Sequence, residues 1–390
     1  MTGQVASVET FVAALPRDVP YLGPLGPGEE VNARGYVVRR GNGTIYPTVD
    51  RSVVVRVTAA DGSVGWGETY GICAPKAVCE IVHDLLAPVL VGREPDDVEA
   101  VWDDLYGLMR VRGAWSGFYT DALAAVDIAL WDLRARAAGE PLWRLLGERL
   151  RDRVPAYVSG LPAATIAERV AMAETRRDQG HRAFKFAAAV SHDGVVEEFA
   201  ALRRALGDEV DLMVDLHWKF APEEASALIE RLAPYRPAFV EAPVKPEDVA
   251  GLEAVARASA VPIAGGEEWS TEHQALHRLE RRAVAVIQPE MAHTGVTQFM
   301  RIARLAEAHG VTIAPHATIG TGLFLAASLH ASLVVPRLWR HEWQHSVFGR
   351  NLALLDGDMA CDARGYVAPS GLGLGVAPGP AFFDHAEAVA

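Results

Sequence analysis

The sequence predicts an α/β fold in which a β/α barrel follows an N-terminal α+β domain, and three observations carry that prediction. From about residue 154, eight short β-like runs alternate with helical stretches: AYVSGL from 156, FKFAAAV from 184, LMVDLHW from 212, AFVEAPV from 238, PIAGGE from 262, AVIQPE from 285, TIAPHAT from 312 and LWRHEWQ from 338. An ionisable side chain then recurs in step with the strands, at Asp215, Glu241, Glu267, Glu290, His316 and Glu342, with spacings of 26, 26, 23, 26 and 26 residues. Finally, the rival architecture, an open doubly wound sheet, should carry a Gly-rich phosphate loop near its first strand, and no G-x-G-x-x-G or G-K-[ST] sequence stands at such a junction. Repeated strand-then-helix units imply parallel strands joined by right-handed crossovers. Eight such units in roughly 200 residues match a (β/α)8 barrel.

The elements follow in order. SVVVRVTAADGSVGWGE reads as a hairpin about Asp61-Gly62, and helices are expected near 74–92, 94–111 and 118–139. Residues 1–136 therefore form the α+β domain. Within it LGPLGPGEEVNARG, 22–35, is rich in Gly and Pro without periodicity, and reads as a loop of the kind that serves as a lid. The barrel occupies 137–365, and its helices include APEEASALIERLAPY and GVTQFMRIARLAEAHG, with apolar residues at helical spacing and Gly or Pro at their ends. The Gly/Pro-rich tail, 366–390, is expected to pack back on the first domain.

Composition narrows the function. Half of the 390 residues are hydrophobic, enough for a large core, yet no apolar stretch has the length of a membrane helix and the start, MTGQVASVETF, lacks the features of a signal peptide. A cytoplasmic chain is expected. Cys73, Cys79 and Cys361 show no metal-type spacing and suit a reducing compartment. A net charge of −13 without a dense Lys/Arg run argues against nucleic acid or a membrane surface as partner.

In a barrel of this kind chemistry sits at the C-terminal ends of the strands. Asp215, Glu241 and Glu267 on successive strands converge there, and three carboxylates so close need a hard cation, for which Mg²⁺ suits an all-oxygen shell. Glu268 replaces Glu267 if the register shifts by one, and Asp215 with His217 could instead bind Zn²⁺. His316 follows an apolar run, and Glu290 on the preceding strand can hydrogen-bond its far ring nitrogen, raising its basicity and fixing its tautomer as a general base needs. Asp215 and His217, two apart in an extended strand, point the same way. Lys185 stands on the second strand.

GWGE, AVDIALWDL, VDLH, FVEAPV, PIAGGE, IQPE, IAPH and HEWQ, in this order and spacing, make the chain similar to the enolase superfamily, specifically its mandelate racemase-like acid-sugar dehydratases. The resemblance implies a modified (β/α)7β TIM barrel under an N-terminal α+β capping domain, with no regular helix in the last unit. It implies Mg²⁺ on Asp215, Glu241 and Glu267, and removal of the proton α to a carboxylate by His316 with Glu290. Glu342 then lies by a carboxylate oxygen as a hydrogen-bond donor or electrostatic partner, protonated if it donates, which the crowd of acids favours by raising its pKa, and Lys185 offers a cation to the same group. His217 protonates the departing 3-hydroxyl, so that a sugar acid, aldonate or aldarate of 2R configuration, becomes a 2-keto-3-deoxy acid. Racemases of the subgroup carry a second Lys where this chain has Ala187, and relatives commonly have Asp where it has Glu290. The lid loop and the segment around Tyr70 are expected to contact the distal end of the substrate, and the chain to form a homo-oligomer, often an octamer.

Other readings are a racemase or epimerase of an α-hydroxy acid, a barrel lyase using Lys185 as a Schiff-base nucleophile, and a member that binds a sugar acid without turnover.

Overall fold

A computed structural model describes residues 3–17, 23–41, 43–188, 194–317 and 320–390. The N-terminal part supplies strands β1 (Val5–Leu15), β2 (Tyr36–Val38), β3 (Ile45–Pro47), β4 (Asp50–Ala59) and β5 (Val64–Tyr70). Its helices are α1 (Pro75–Ile81), which runs through one π-helical turn into α2 (Ala87–Leu90), then α3 (Val98–Arg110) and α4 (Phe118–Ala137). β4 and β5 form the expected hairpin, with Gly62 at φ 85 and Asp61 Oδ1 accepting from the Ser63 N–H at 2.9 Å.

The GWGE stretch has a packing reason. A Cβ on Gly65 would lie 2.1 Å from the Ala129 carbonyl oxygen, and one on Gly67 would lie 1.9 Å from that of Ala125. Only glycine lets α4 rest directly on β5. α4 is apolar on nearly every side because it is enclosed between the sheet and the barrel helices. The three buried aspartates of α4 are all engaged: Asp132 accepts from the Trp66 and Leu374 N–H groups and from Arg136, Asp127 from the backbone and hydroxyl of Thr297, and Asp121 meets the His293 ring at 2.6 Å.

The barrel follows a short helix α5 (Trp143–Leu146). Its strands and helices alternate as β6 (Ala156–Ser159), α6 (Ile166–Asp178), β7 (Ala183–Ala187), α7 (Val195–Leu206), β8 (Asp211–Asp215), α8 (Pro222–Leu232), β9 (Phe239–Glu241) and α9 (Val249–Ala258). They continue as β10 (Ile263–Gly265), α10 (Glu272–Leu279), β11 (Val286–Ile287), α11 (Met291–His309), β12 (Thr312–Ile313), α12 (Leu323–Val334) and β13 (His341–Trp343). All pairings are parallel, in the order β12-β11-β10-β9-β8-β7-β6-β13. The sheet closes because Ile313 bridges Leu338, three residues before β13, through hydrogen bonds of 3.0 and 2.8 Å. Seven β/α units and a final strand make the (β/α)7β pattern. One expectation is corrected: a regular helix, α13 (His345–Leu352), does follow the last strand.

The remaining chain forms β14 (Leu355–Gly357), β15 (Ala360–Asp362), β16 (Gly365–Val367), β17 (Val376–Pro378), α14 (Pro380–Phe383) and β18 (Ala386–Val389). Tyr366 first packs against the barrel, donating to the Glu342 carbonyl at 2.8 Å. β18 then pairs with β1, completing a capping sheet in the order β18-β1-β4-β5.

One interior layer of the barrel is Tyr157, Ala183, Met213, Phe239, Ala264, Val286 and Ala314, with Trp339 against it. Because side chains in a strand repeat every two residues, Ser159, Lys185, Asp215, Glu241 and His316 stand one step above that floor.

Candidate active site

The mouth of the barrel is lined by charged groups that pair across strands. Lys185 lies in the middle of β7 rather than at its end, and its buried Nζ donates to Glu241 Oε1 and Oε2 at 3.0 and 2.7 Å and lies 3.2 Å from Glu342 Oε1. Burial opposes its charge, but Glu241 and Glu342 hold its pKa well above the ordinary lysine value. Glu342 also accepts from the Ser159 hydroxyl and from the Ala317 N–H at 3.2 Å. Burial pushes its pKa up, yet Lys185, His316 and Ser159 outweigh that and bring it below the ordinary value. Of the two roles expected for Glu342, these neighbours favour the electrostatic partner, a carboxylate that accepts, over the protonated donor.

His316 sits beyond β12 with both ring nitrogens engaged. Nδ1 is 2.7 Å from Glu290 Oε2, and Nε2 is 3.2 Å from Glu267 Oε2 and 3.6 Å from Glu342 Oε2. Burial disfavours its cation, but Glu267, Glu342 and Glu290 raise its pKa to about 10. Glu290 is the N-cap of α11, where Oε1 accepts the Ala292 N–H at 3.1 Å, and Tyr70 at the end of β5 donates its hydroxyl to Oε2 at 2.8 Å. Tyr70 therefore braces the base from behind.

His217 differs. β8 ends at Asp215, and His217 and Trp218 take left-handed conformations, φ 55 and 53. Asp215 and His217 thus do not share the face of one strand as a simple alternation predicts. They meet through a tight turn: Asp215 Oδ1 accepts the His217 N–H at 2.7 Å, and Oδ2 lies 3.4 Å from Nδ1. Left-handed backbone costs a non-glycine residue roughly 1 kcal/mol, and such strain is kept where the surroundings enforce it. The far ring nitrogen, Nε2, is 2.9 Å from the hydroxyl of Tyr46 on β3. Although burial disfavours the imidazolium, Asp215 raises its pKa, while Asp215 itself is held below its ordinary value despite burial, mainly by His217.

The chain matches the family described as enolase C-terminal domain-like over residues 168–381, and the mandelate racemase / muconate lactonizing enzyme N-terminal domain over 44–147. It belongs to the mandelate racemase/muconate lactonizing group of the enolase superfamily. A D-galactonate dehydratase from Klebsiella pneumoniae is 32% identical over 301 residues, covering 75% of this chain and 78% of that protein. A solved structure from Sinorhizobium meliloti, described provisionally as an isomerase, is 51% identical with a TM-score of 0.97 and covers 99% of this chain and 100% of that one. A racemase from Streptomyces coelicolor A3(2), solved with bound magnesium, is 26% identical with a TM-score of 0.83, covering 98% and 99%.

For this enolase-superfamily chain the donor set suits a hard divalent cation. Asp215 and Glu241 are register partners on β8 and β9, and Glu267 lies two residues beyond β10. Burial first, and then repulsion from nearby carboxylates, Asp215 and Glu342 for Glu241 and Glu241 and Asp215 for Glu267, pushes the pKa of Glu241 up and that of Glu267 well up, which a cation at the site would relieve. Glu241 pairs with Lys185 and Glu267 with His316; among the described residues no three acid, His or Cys side chains close into a metal cage. Glu268 faces elsewhere, accepting from Trp269 Nε1 at 2.9 Å.

Sequence reasoning missed three residues here: Tyr46, Tyr70 as a brace, and Ser159. A polar residue two positions past the aromatic floor residue Tyr157 was a usable signal for Ser159. The tyrosines had none, because their contacts span 171 and 220 residues of chain. Of the lid stretch, residue 22 lies outside the described residues, and the rest leads into the β2–β3 hairpin that carries Tyr46.

Proposed function

We propose that this protein dehydrates a sugar acid, an aldonate or aldarate of 2R configuration, to a 2-keto-3-deoxy acid with Mg²⁺ as cofactor. The observation that carries the reading is the placement of two histidines. His316, past the seventh barrel strand, is backed by Glu290, and His217, past the third, is backed by Asp215. Strands four apart in an eight-stranded barrel face one another across the mouth, so a substrate held between them meets a base on one side and an acid on the other.

Asp215, Glu241 and Glu267 would hold Mg²⁺, which would supply positive charge beside the substrate carboxylate and lower the cost of taking the α-proton. His316 takes that proton at Nε2, because Nδ1 is committed to Glu290. Glu267, if it held the cation, would no longer stabilise the imidazolium at Nε2, and His316 would be freer to act as a base. Lys185 and Glu342 set the charge around the substrate carboxylate. His217 gives a proton to the departing 3-hydroxyl, which leaves as water, and the enol product tautomerises to the ketone.

The named dehydratase relative supports this reading. Racemisation or epimerisation is the second reading, favoured by the relatives described as an isomerase and a racemase. Against it stands Ala187, in register with Asp215 at the end of β7, where racemases of the resemblance carry a second lysine. Schiff-base chemistry is weaker still, since an ammonium gripped by Glu241 and Glu342 has no lone pair to attack a carbonyl.

The test is a panel of mono- and diacid sugars with Mg²⁺, scored for a 2-keto-3-deoxy acid and for α-proton exchange in D2O. Product from one stereochemical series, abolished by EDTA, is the expected result. Exchange with inversion at the α-carbon and no loss of the 3-hydroxyl transfers the assignment to epimerisation. The compartment is proposed to be the cytoplasm and the assembly a homo-oligomer; no helix among the described residues is long and apolar enough to cross a membrane.

A further inference from the structure

The His217 ring is held by two contacts of unequal quality. Its Nδ1 lies 3.4 Å from Asp215 Oδ2, a long contact, whereas its Nε2 lies 2.9 Å from the Tyr46 hydroxyl. The residue stands beyond the end of β8 in a left-handed turn, where the N–H groups on either side, of Leu216 and Trp218, donate to the carbonyls of Glu241 and Ala242, so strand alternation does not place its side chain. Tyr46 by contrast is well anchored. It pairs with Val37 in the β2–β3 hairpin and is itself buried.

That hairpin is tied down on its own. Arg39, buried, donates to Glu29 at 2.7 Å and to the carbonyls of Pro24 and Gly23, and Glu29 accepts the Arg40 N–H at 2.8 Å. The Tyr36 hydroxyl receives the Ala74 N–H at 3.0 Å, which joins the hairpin to the start of α1. A rigid piece of the cap thus ends in a phenol placed on the candidate acid.

We infer that Tyr46 is a positioning residue for His217, fixing its imidazole between Asp215 and the cap so that loss of the hydroxyl requires the β2–β3 hairpin in place while removal of the α-proton does not. This rests on the dehydratase reading above. The hydroxyl occupies the only ring nitrogen of His217 turned away from Asp215, so the proton given to a leaving group passes through the position Tyr46 controls. No contact between Tyr46 and the base, His316, accompanies it among the hydrogen bonds of the described residues.

The experiment is Tyr46→Phe, which keeps the ring and removes the oxygen, measured on the sugar acid that the wild-type protein turns over. Dehydration kcat is expected to fall about tenfold, as for loss of a hydrogen bond to a charged partner, with KM within about twofold. Exchange of the α-proton in D2O is expected to continue, so that the ratio of exchange to dehydration rises about tenfold. A merely structural defect lowers both rates together, and an unchanged ratio overturns the inference. If the wild-type protein neither exchanges nor dehydrates any acid offered, the dehydratase reading fails, and the ring ¹⁵N resonances of His217, assigned through His217→Asn, decide for Tyr46. Shifted resonances in Tyr46→Phe uphold the positioning role, and unmoved ones overturn it.

Discussion

The two histidines at the barrel mouth are each braced by a tyrosine from the cap, but the braces differ. On the base side Tyr70 reaches Glu290, which in turn holds His316 at 2.7 Å, and all three are buried. Glu290 is further fixed as the N-cap of α11, so the base is built from regular elements. On the acid side His217 sits in a left-handed turn, its side chain 17% exposed, and Tyr46 touches the ring itself. The base is held through a carboxylate, and the acid is held directly by the cap. A group that must remove a proton from a weak carbon acid gains from a fixed position. A group that must meet a departing hydroxyl can be tied to whether the cap is seated.

Breaking the base side should have the largest effect. His316→Asn is expected to lower both turnover and α-proton exchange by roughly 10²–10⁴-fold, and exchange that persists in D2O would place the base elsewhere. His217→Asn should slow dehydration by roughly 10²-fold while sparing exchange; equal loss of both by NMR would erase the division between the two sides. Glu241→Gln removes a charge from the proposed cation site. It should weaken Mg²⁺ binding about 10- to 100-fold by calorimetry, and undiminished affinity would sink that ligand assignment.

Smaller changes sharpen the comparison. Tyr70→Phe leaves Glu290 short of one hydrogen bond and should cost about tenfold in both exchange and dehydration, unlike Tyr46→Phe, which separates them. The last test addresses the cap itself. Gly67→Ala forces a methyl against the Ala125 carbonyl of α4 and should destabilise the fold by about 1–3 kcal/mol in chemical unfolding. A variant of unaltered stability would mean that α4 is free to shift away from β5.

Much of the site was legible because barrel geometry repeats in sequence. Asp215, Glu241 and His316 each stand two residues beyond an interior apolar residue, and the strand period of about 26 residues carries one such position per unit to the same end of the barrel. Periodicity also exposed the pairing of Glu290 with His316, since parallel strands bring residues one unit apart side by side. It did not reveal the partners of Glu342, because the local crowd of acids argues one way and the Lys185 ammonium with the Ser159 hydroxyl argues the other.

What the sequence determined by itself was therefore the barrel, the level at which its ionisable groups gather, and the family to which such a set belongs. Side chains that repeat with the strand are placed by local alternation, which short-range physics dictates. Tertiary structure alone decided the turn that lifts His217 off the strand, the partner that Glu241 and Glu267 each take, and the two cap tyrosines behind the acid and the base. Those contacts join residues far apart in the chain, and their energies depend on packing and desolvation that exist only once the cap and the barrel have met.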